Sequence, residues 1–247
     1  MHILQAIYVK LYQAFGPQHW WPGDSPFEVA VGAILTQNTN WGNVEKAIRN
    51  LKTGGALSAK ALHTIPDGKL AGMIRPAGYF NIKAVRLKSF VGWLMHHYGG
   101  SMQKMGKEDM TELRTKLLSV RGIGPETADS ILLYATGKPV FVIDAYTKRM
   151  LSRHGIMEHD KPYDRFQEMF HDALARDAGI FNEYHALIVK AGKTFCRRNN
   201  PLCVQCPLEV MQEDRITFRE NAPHQAKKFR QMETLQKRQQ DIAGSVS

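Results

Sequence analysis

Cysteine is scarce in this sequence. Only three of its 247 residues are cysteines, and all three lie between positions 196 and 206. So few thiols, confined to one short segment, cannot form the disulfide framework of a small secreted domain. A reducing compartment, with a metal-binding or packing role for the three thiols, fits this distribution.

Long apolar runs are also missing. No stretch approaches the roughly 18 apolar residues that a transmembrane helix needs, so we expect no membrane-spanning segment and no membrane partner. The N-terminal segment MHILQAIYVKLYQAFG lacks the basic start and the small-residue cleavage site of a signal peptide. Its apolar residues recur every fourth position, which is typical of an amphipathic helix. We therefore expect a cytoplasmic protein.

Strand-forming segments are almost absent. Only 139-PVFVI-143 has strand-like composition, and one short run cannot make a sheet. Helical periodicity dominates elsewhere, with Gly, Pro and Asp at the joints, so the predicted fold class is all-α. The helices are predicted at 26–37, 42–52, 57–65, 67–74, 81–98, 108–120, 125–136, 145–155, 163–175 and 181–196.

Acidic residues are outnumbered. The chain has 33 Lys and Arg against 23 Asp and Glu, a net charge of +10 at pH 7, which favours a polyanionic partner such as nucleic acid. The segment 215–247 is polar, basic and poor in apolar residues. We expect it to be a flexible tail, either solvated or serving as an auxiliary phosphate-binding arm.

The segment VRGIGPET, residues 120–127, predicts a tight turn between two helices. Gly122 and Gly124 allow backbone angles closed to other residues, and Pro125 suits the first position of a helix. The unpaired N–H groups of that helix start would bind a phosphate oxygen without reading sequence. The alternative is an ordinary helical joint with a Gly stop and a Pro start.

The order of motifs resembles the helix-hairpin-helix DNA glycosylase superfamily, to which endonuclease III belongs. The family hairpin has the pattern hydrophobic–x–Gly–hydrophobic–Gly, here Val120 to Gly124, and its catalytic aspartate follows some twenty residues later, here Asp144. The resemblance extends from about Trp20 to Cys206. The Trp-Trp-Pro element, LTQNT, 74-IRPAGYFNIKAVRL-87 and GIGPETAD are most similar to the 3-methyladenine glycosylases related to endonuclease III.

This resemblance implies a two-lobed organisation. Residues 22–136 would form a six-helix barrel lobe that carries the hairpin. Residues 1–21 and 137–214 would form a second helical lobe with the cysteine loop, and 215–247 the tail. The active site would lie in the cleft, with Asp144 at its mouth.

The resemblance also implies the chemistry. Cleaving an N-glycosidic bond builds positive charge on the deoxyribose, which the Asp144 carboxylate would stabilise while it orients or deprotonates the attacking water. Considered alone, an Asp before a helix is usually an N-cap; the hairpin upstream is what favours catalysis, and the two roles are compatible. Glu126 occupies the position where bifunctional members carry a lysine. A carboxylate cannot form a Schiff base, so the implied enzyme is monofunctional.

The base pocket and the DNA contacts are predicted from the same resemblance. A base must be flipped out of the duplex to be cut, and an alkylated purine stacks well on electron-rich rings. The candidate pocket residues are Trp20, Trp21, Pro22, Trp41 and Lys193. The candidate DNA-binding residues are Arg121, Gly122, Ile123, Gly124, Thr127 and Gln37, the last as filler of the gap left by the flipped nucleotide. The alternatives are core packing for the aromatics, a polar helix end for Gln37 and a solvated or phosphate-facing lysine at 193.

The cysteine loop is one thiol short. Cys196, Cys203 and Cys206 have the C-x6-C-x2-C spacing that opens the iron–sulfur loop of endonuclease III relatives, but the fourth position is Gln212. A [4Fe-4S] cluster ordinarily needs four thiolates. Three outcomes stay open: a cluster completed by Glu213 or Asp214, zinc on three thiolates and another ligand, or a loop shaped by packing alone.

The predicted function is base-excision repair by a monomeric, monofunctional DNA glycosylase that removes alkylated purines such as 3-methyladenine from double-stranded DNA. We expect the enzyme to be cytoplasmic and associated with the nucleoid through that DNA. One alternative is an endonuclease III-type enzyme for oxidised pyrimidines, or a mismatch uracil or thymine glycosylase. Another is a non-catalytic DNA-binding module, because such hairpins also serve purely as phosphate-binding elements.

Overall fold

The computed structural model describes residues 2–20 and 23–209, together with the single positions 231 and 234. All regular structure in these residues is helical, which confirms the all-α prediction. The chain divides into two compact units, one from Met1–Trp20 and Pro139–Ser247, the other from Trp21–Lys138. Within the described ranges, no helix has the length and apolar character to cross a membrane.

The unit within 21–138 contains α2 to α9. Their bounds are α2 Pro26–Leu35, α3 Trp41–Thr53, α4 Ala59–Thr64, α5 Asp67–Met73, α6 Phe80–Tyr98, α7 Met102–Gly106, α8 Met110–Leu118 and α9 Pro125–Ser130. A 3₁₀ turn, Arg75–Ala77, precedes α6, and α9 continues as a π-helical turn, Ile131–Ala135. The longest helix, α6, packs against α2, α4 and α5.

One lysine in this unit is buried. Lys83 is 1% exposed, and its ammonium donates to the carbonyls of Leu35 (2.9 Å) and Ala77 (2.7 Å). Burial lowers the pKa of Lys83, and the nearby charge of Arg86 lowers it further. Lys83 thereby ties the C-terminal end of α2 to the turn that precedes α6, and α2 leads directly into the LTQNT segment.

The other unit contains α1 Ile3–Phe15, α10 Ala145–Arg153, α11 Tyr163–Ala173 and α12 Ala178–Thr194. A short 3₁₀ turn, Cys203–Gln205, lies in the cysteine segment. Helix α12 packs against both α1 and α10. It begins three residues earlier than its apolar pattern predicts, because Asp177 accepts a hydrogen bond from the N–H of Ile180 (2.9 Å) and caps it.

The strand-like run PVFVI forms no strand in the structure. Residues 140–143 are buried, and their backbone groups pair with side chains of α11 instead of a neighbouring strand. Gln167 donates to the Phe141 carbonyl (2.7 Å), His171 accepts from the Phe141 N–H (3.0 Å), and the Tyr163 hydroxyl accepts from the Ile143 N–H (3.2 Å). Because buried backbone groups need partners, these side chains hold the segment extended. The extended segment leads directly to Asp144 and so fixes its position.

Candidate active site

Asp144 is the N-cap of α10. Its Oδ1 accepts hydrogen bonds from the backbone N–H (2.7 Å) and the hydroxyl (2.9 Å) of Thr147. The Asp144 side chain is 12% exposed, so the carboxylate is largely withdrawn from water but still accessible. Its position follows from the buried run just before it, which ends where α10 begins.

His185, on α12, lies against the same carboxylate. Its Nε2 is 3.6 Å from Oδ2 of Asp144, and the histidine side chain is only 5% exposed. Burial by itself raises the pKa of Asp144, but the contact with His185 and the two hydrogen bonds from Thr147 outweigh burial. The net pKa of Asp144 lies below its usual value, so the carboxylate stays ionised at neutral pH.

Trp20 belongs to the same group of side chains. Its ring stacks on the imidazole of His185, with centroids 5.6 Å apart and planes 14° from parallel. The predicted pocket residue and the predicted catalytic residue are therefore connected through a histidine that the sequence did not single out. Trp21 and Pro22 lie outside the described residues.

The predicted hairpin is present between α8 and α9. Gly122 has φ +88°, a left-handed conformation that favours glycine, and Ile123 is buried beneath the turn with its N–H bonded to the Val120 carbonyl (3.0 Å). Gly124 is the N-cap of α9, Pro125 follows at the first helical position, and no side chain caps this helix start. A methyl group on Gly124 would meet nothing within 4 Å, so its surroundings are open.

The side chain of Gln37 lies on this hairpin. Its amide nitrogen donates to the Gly122 carbonyl (3.1 Å) and to the Thr127 hydroxyl (2.9 Å), while its amide oxygen accepts from Arg86. The structure thus brings together three residues predicted to bind DNA. Arg86 was not singled out in the sequence, although it lies in the quoted segment KAVRL.

Arg86 also explains why position 122 is a glycine. A methyl group on Gly122 would lie 2.4 Å from Cγ of Arg86, far closer than carbon atoms approach. The glycine is therefore required twice, by its backbone angle and by the side chain packed upon it.

A buried ion pair joins the two helices of the hairpin. Asp129 on α9 is fully buried and receives two hydrogen bonds from Arg114 on α8, at 2.7 and 3.1 Å. This bidentate geometry orients both partners. Glu126 and Arg121, by contrast, are exposed residues of the hairpin.

The remaining predicted pocket residues are half-buried or exposed. Trp41 opens α3 and is half-buried, and its ring lies over Gly32, where a methyl group would be 3.4 Å from Cη2. Lys193 is exposed in the last turn of α12. Each lies in its own unit, Trp41 beside the start of α3 and Lys193 next to Gly192, on which Tyr146 packs.

The described part of the cysteine loop does not by itself fit a metal cluster. Among residues 2–20 and 23–209, no three His, Cys, Asp or Glu side chains are arranged to hold a metal ion. Burial raises the pKa of the Cys206 thiol, and a hydrogen bond from the backbone of Leu208 offsets part of that rise. Gln212, Glu213 and Asp214 lie outside the described residues.

Arginines of α10 hold the start of this loop. Arg149 donates to the Cys196 carbonyl (2.8 Å), and Arg153 donates to the carbonyls of Arg197 (2.6 Å) and Arg198 (2.9 Å). Arg153 also lies 3.4 Å from the sulfur of Cys196. These contacts position the loop through backbone carbonyls, independently of any metal.

Comparison with known proteins agrees with these features. Residues 31–176 match the HhH-GPD superfamily of base excision DNA repair proteins. A Methanocaldococcus jannaschii protein provisionally named a DNA repair glycosylase is 47% identical over 209 residues, 84% of this chain and 94% of that protein. Endonuclease III of Thermotoga maritima is 27% identical over 184 residues, 74% of this chain and 81% of that protein.

A solved structure of a DNA glycosylase is also similar to this chain. The 3-methyladenine DNA glycosylase of H. pylori, bound to 1,N6-ethenoadenine, matches with a TM-score of 0.66 and 28% identity, over 77% of this chain and 97% of that chain. The predicted resemblance to helix-hairpin-helix glycosylases, and the prediction of an enzyme, are confirmed. The chain belongs to the HhH-GPD superfamily of base excision DNA repair proteins, and it is a DNA glycosylase.

Proposed function

We propose that this glycosylase is monofunctional and hydrolyses the N-glycosidic bond of alkylated purines, such as 3-methyladenine, in double-stranded DNA. The observation that carries the proposal is the Asp144 carboxylate, nearly buried yet held ionised by Thr147 and His185. The substrate class is supported by the H. pylori relative, a 3-methyladenine DNA glycosylase 28% identical to this chain.

The proposed reaction needs no acid for the leaving group. A cationic alkylated purine leaves as a neutral base when the C1′–N bond breaks and the bonding pair goes to the purine. The positive charge that develops on the sugar is stabilised by the Asp144 carboxylate. Water then adds to C1′ and loses a proton, which the carboxylate accepts and passes to solvent, leaving an abasic site.

The proposed pocket uses aromatic rings. Trp20 lies in the unit that carries Asp144, where its ring stacks on His185. A cationic purine is attracted to the face of an electron-rich indole more strongly than an undamaged base. Stacking of this kind supports alkylated purines over oxidised pyrimidines as substrates.

The absence of lyase chemistry is proposed from Glu126. It is exposed in the first turn of α9, at the hairpin position where bifunctional relatives carry the attacking lysine. A carboxylate has no amine with which to form a Schiff base. The hairpin would then act only through its backbone, with the N–H groups beside Gly122 and Gly124 binding a DNA phosphate.

The test is base release from duplexes that each carry one lesion. We expect release of 3-methyladenine-like bases, with strand breaks only after alkali, and loss of about a hundredfold or more in single-turnover rate for Asp144→Asn. Asparagine remains a good N-cap, so this variant removes the charge and keeps the helix start. Asp177→Asn is the matched control, because Asp177 caps α12 in the same unit.

Three outcomes would contradict the proposal. Strand breaks without alkali would indicate a lyase, and Lys193→Met would then show whether that lysine supplies the amine. Release of oxidised pyrimidines, or of mismatched uracil or thymine, in place of alkylated purines would indicate another substrate class. Full base release by Asp144→Asn would remove the carboxylate from the mechanism.

The [4Fe-4S] cluster remains a prediction about the cysteine loop, and no step of the reaction depends on it. Iron and zinc content of the purified protein, with its visible absorption, distinguishes a cluster from zinc and from a loop without metal. Cys203→Ser is the informative variant, because Cys203 is exposed and its loss would disturb little packing.

A further inference from the structure

We propose that His185 is a positioning residue for the glycosylase reaction, holding Oδ2 of Asp144 and the ring of Trp20 in their working places. This proposal rests on the catalytic role proposed above for Asp144. It assigns a function to a buried histidine that no sequence motif identified.

The two oxygens of the Asp144 carboxylate have different neighbours. Oδ1 accepts both hydrogen bonds from Thr147 and so caps the N-terminus of α10. Oδ2 has Nε2 of His185 at 3.6 Å, slightly beyond hydrogen-bond length. The oxygen that remains to face a sugar or a water molecule is therefore the one that adjoins His185.

The imidazole of His185 packs against two aromatic rings. His185 is 4% exposed, stacks on Trp20 at 5.6 Å, and meets the edge of Phe141 at 6.3 Å with planes 81° apart. Phe141 is itself anchored through its backbone to His171 and Gln167 of α11. In this position Nε2 faces Oδ2 of Asp144.

The electrostatic consequence concerns the charge on Asp144. From α10 the carboxylate is faced by the neutral Thr147, and from α12 by His185, the titratable neighbour in this group. Burial opposes the charge, and His185 is the strongest of the contacts that favour it. Without the imidazole, burial would be opposed by Thr147 alone, and Asp144 would bind a proton at higher pH.

The experiment compares His185→Phe and His185→Gln in the full-length protein. Phenylalanine keeps a flat ring between Trp20 and Phe141 but removes Nε2, whereas glutamine keeps a hydrogen-bonding group but removes the ring. Single-turnover release of an alkylated purine is measured from acid to neutral pH. We expect the rate of His185→Phe to be about tenfold or more below that of the wild type at neutral pH, and its decline in acid to begin at a higher pH. The rate of His185→Gln should lie between those of His185→Phe and the wild type.

Two controls separate positioning from loss of structure. His154→Asn alters another partly buried histidine of the same unit, at the C-cap of α10, and should leave the rate and its pH profile unchanged. The thermal midpoint of each variant is measured in parallel. A merely structural role would lower the rate equally at every pH, and that uniform loss would overturn the proposal.

A double variant tests whether His185 acts through Asp144. Asp144→Asn with His185→Phe should be no slower than Asp144→Asn alone, because the histidine would have no charge left to hold. A further loss would mean that His185 acts on the substrate independently, and would overturn the proposal. The proposal would also be overturned if Asp144→Asn is inactive while His185→Phe keeps the wild-type rate and the wild-type decline of that rate in acid. If Asp144→Asn itself releases base at full rate, the Asp144 mechanism fails first, and this inference fails with it.

Discussion

A carboxylate that must remain charged inside a protein needs polar partners close to it, and Asp144 has them on two sides. Thr147 supplies two hydrogen bonds to one oxygen, and His185 lies against the other. The arrangement makes the same aspartate a helix cap and a candidate catalyst, because the cap occupies only Oδ1. A cap that used both oxygens would leave none for chemistry.

The contribution of the Thr147 hydroxyl to stability can be tested with a single substitution. Thr147→Val keeps the shape and the backbone N–H but removes one hydrogen bond to Asp144, so we expect a loss of about 1 kcal/mol in unfolding free energy at pH 7. Burial raises the pKa of Asp144, but its partners lower this pKa by more than burial raises it, so the folded-state pKa lies below the unfolded-state value. The stabilisation is therefore complete above the unfolded-state pKa, and it disappears as pH falls through the lower folded-state pKa.

The measurement is denaturant unfolding of both proteins at neutral pH and below about pH 4, the ordinary range of an Asp carboxyl. The difference between wild type and Thr147→Val should shrink on acidification. Thr136→Val is the control, because the Thr136 hydroxyl donates to the Leu132 carbonyl (2.7 Å) and its loss should have no such pH dependence. A difference that is the same at both pH values would contradict the assignment.

At the scale of elements, the hairpin is a short turn held from outside. Its own hydrogen bond, between Ile123 and Val120, is supplemented by Gln37 from the end of α2 and Arg86 from α6. The α8–α9 pair is further joined by the Arg114–Asp129 ion pair. A turn this short has little core of its own, so its conformation depends on these contacts.

Two glycine variants separate the conformation of the hairpin from its contact with DNA. Gly122→Ala places a side chain at φ +88° and against Arg86, so we expect a lower thermal midpoint, a stability loss of about 1 kcal/mol or more, and weaker duplex binding. Gly124→Ala has φ −96° and open surroundings, so its thermal midpoint should change little. Its duplex binding should still weaken, because the methyl group stands where a phosphate would approach.

The pair of measurements is a thermal melt and binding to an undamaged duplex. Wild-type stability in Gly122→Ala would contradict the structural argument. Wild-type binding in Gly124→Ala would contradict the proposed phosphate site.

At the scale of the whole molecule, the positive net charge favours association with DNA of any sequence. The net charge is +10, and the segment 215–247 contributes seven Lys and Arg against three Asp and Glu. Lys and Arg that neutralise phosphates release counterions, so binding weakens linearly in log salt concentration. A basic tail would steepen that dependence without adding sequence specificity.

Replacing the seven basic residues of 215–247 with glutamine tests this role at constant length. We expect the affinity for undamaged duplex to fall about tenfold or more at low salt, with a shallower dependence on salt. The single-turnover rate of base release at saturating enzyme should not change. A salt slope equal to that of the wild type would mean that the tail does not contact DNA.

The features that sequence predicted well are local ones. The turn Val120–Gly124 and the start of α10 at Asp144 each depend on a few consecutive residues, through glycine conformations and helix caps. Helix periodicity likewise predicted most helices, although α7 was not predicted because five residues carry too little pattern. The apolar run PVFVI was ambiguous, since periodicity cannot show that side chains of α11 will satisfy its backbone.

By itself, then, the sequence determined an all-α glycosylase with a helix-hairpin-helix turn and an aspartate at family spacing, because those signals are short-range. Only the tertiary structure decided what surrounds them: His185 beside Asp144, Arg86 and Gln37 on Gly122, and Lys83 inside a unit. These partners are separated from one another by tens of residues along the chain. Their meeting depends on how helices pack, and no local pattern of hydrophobicity, capping or turn chemistry encodes it.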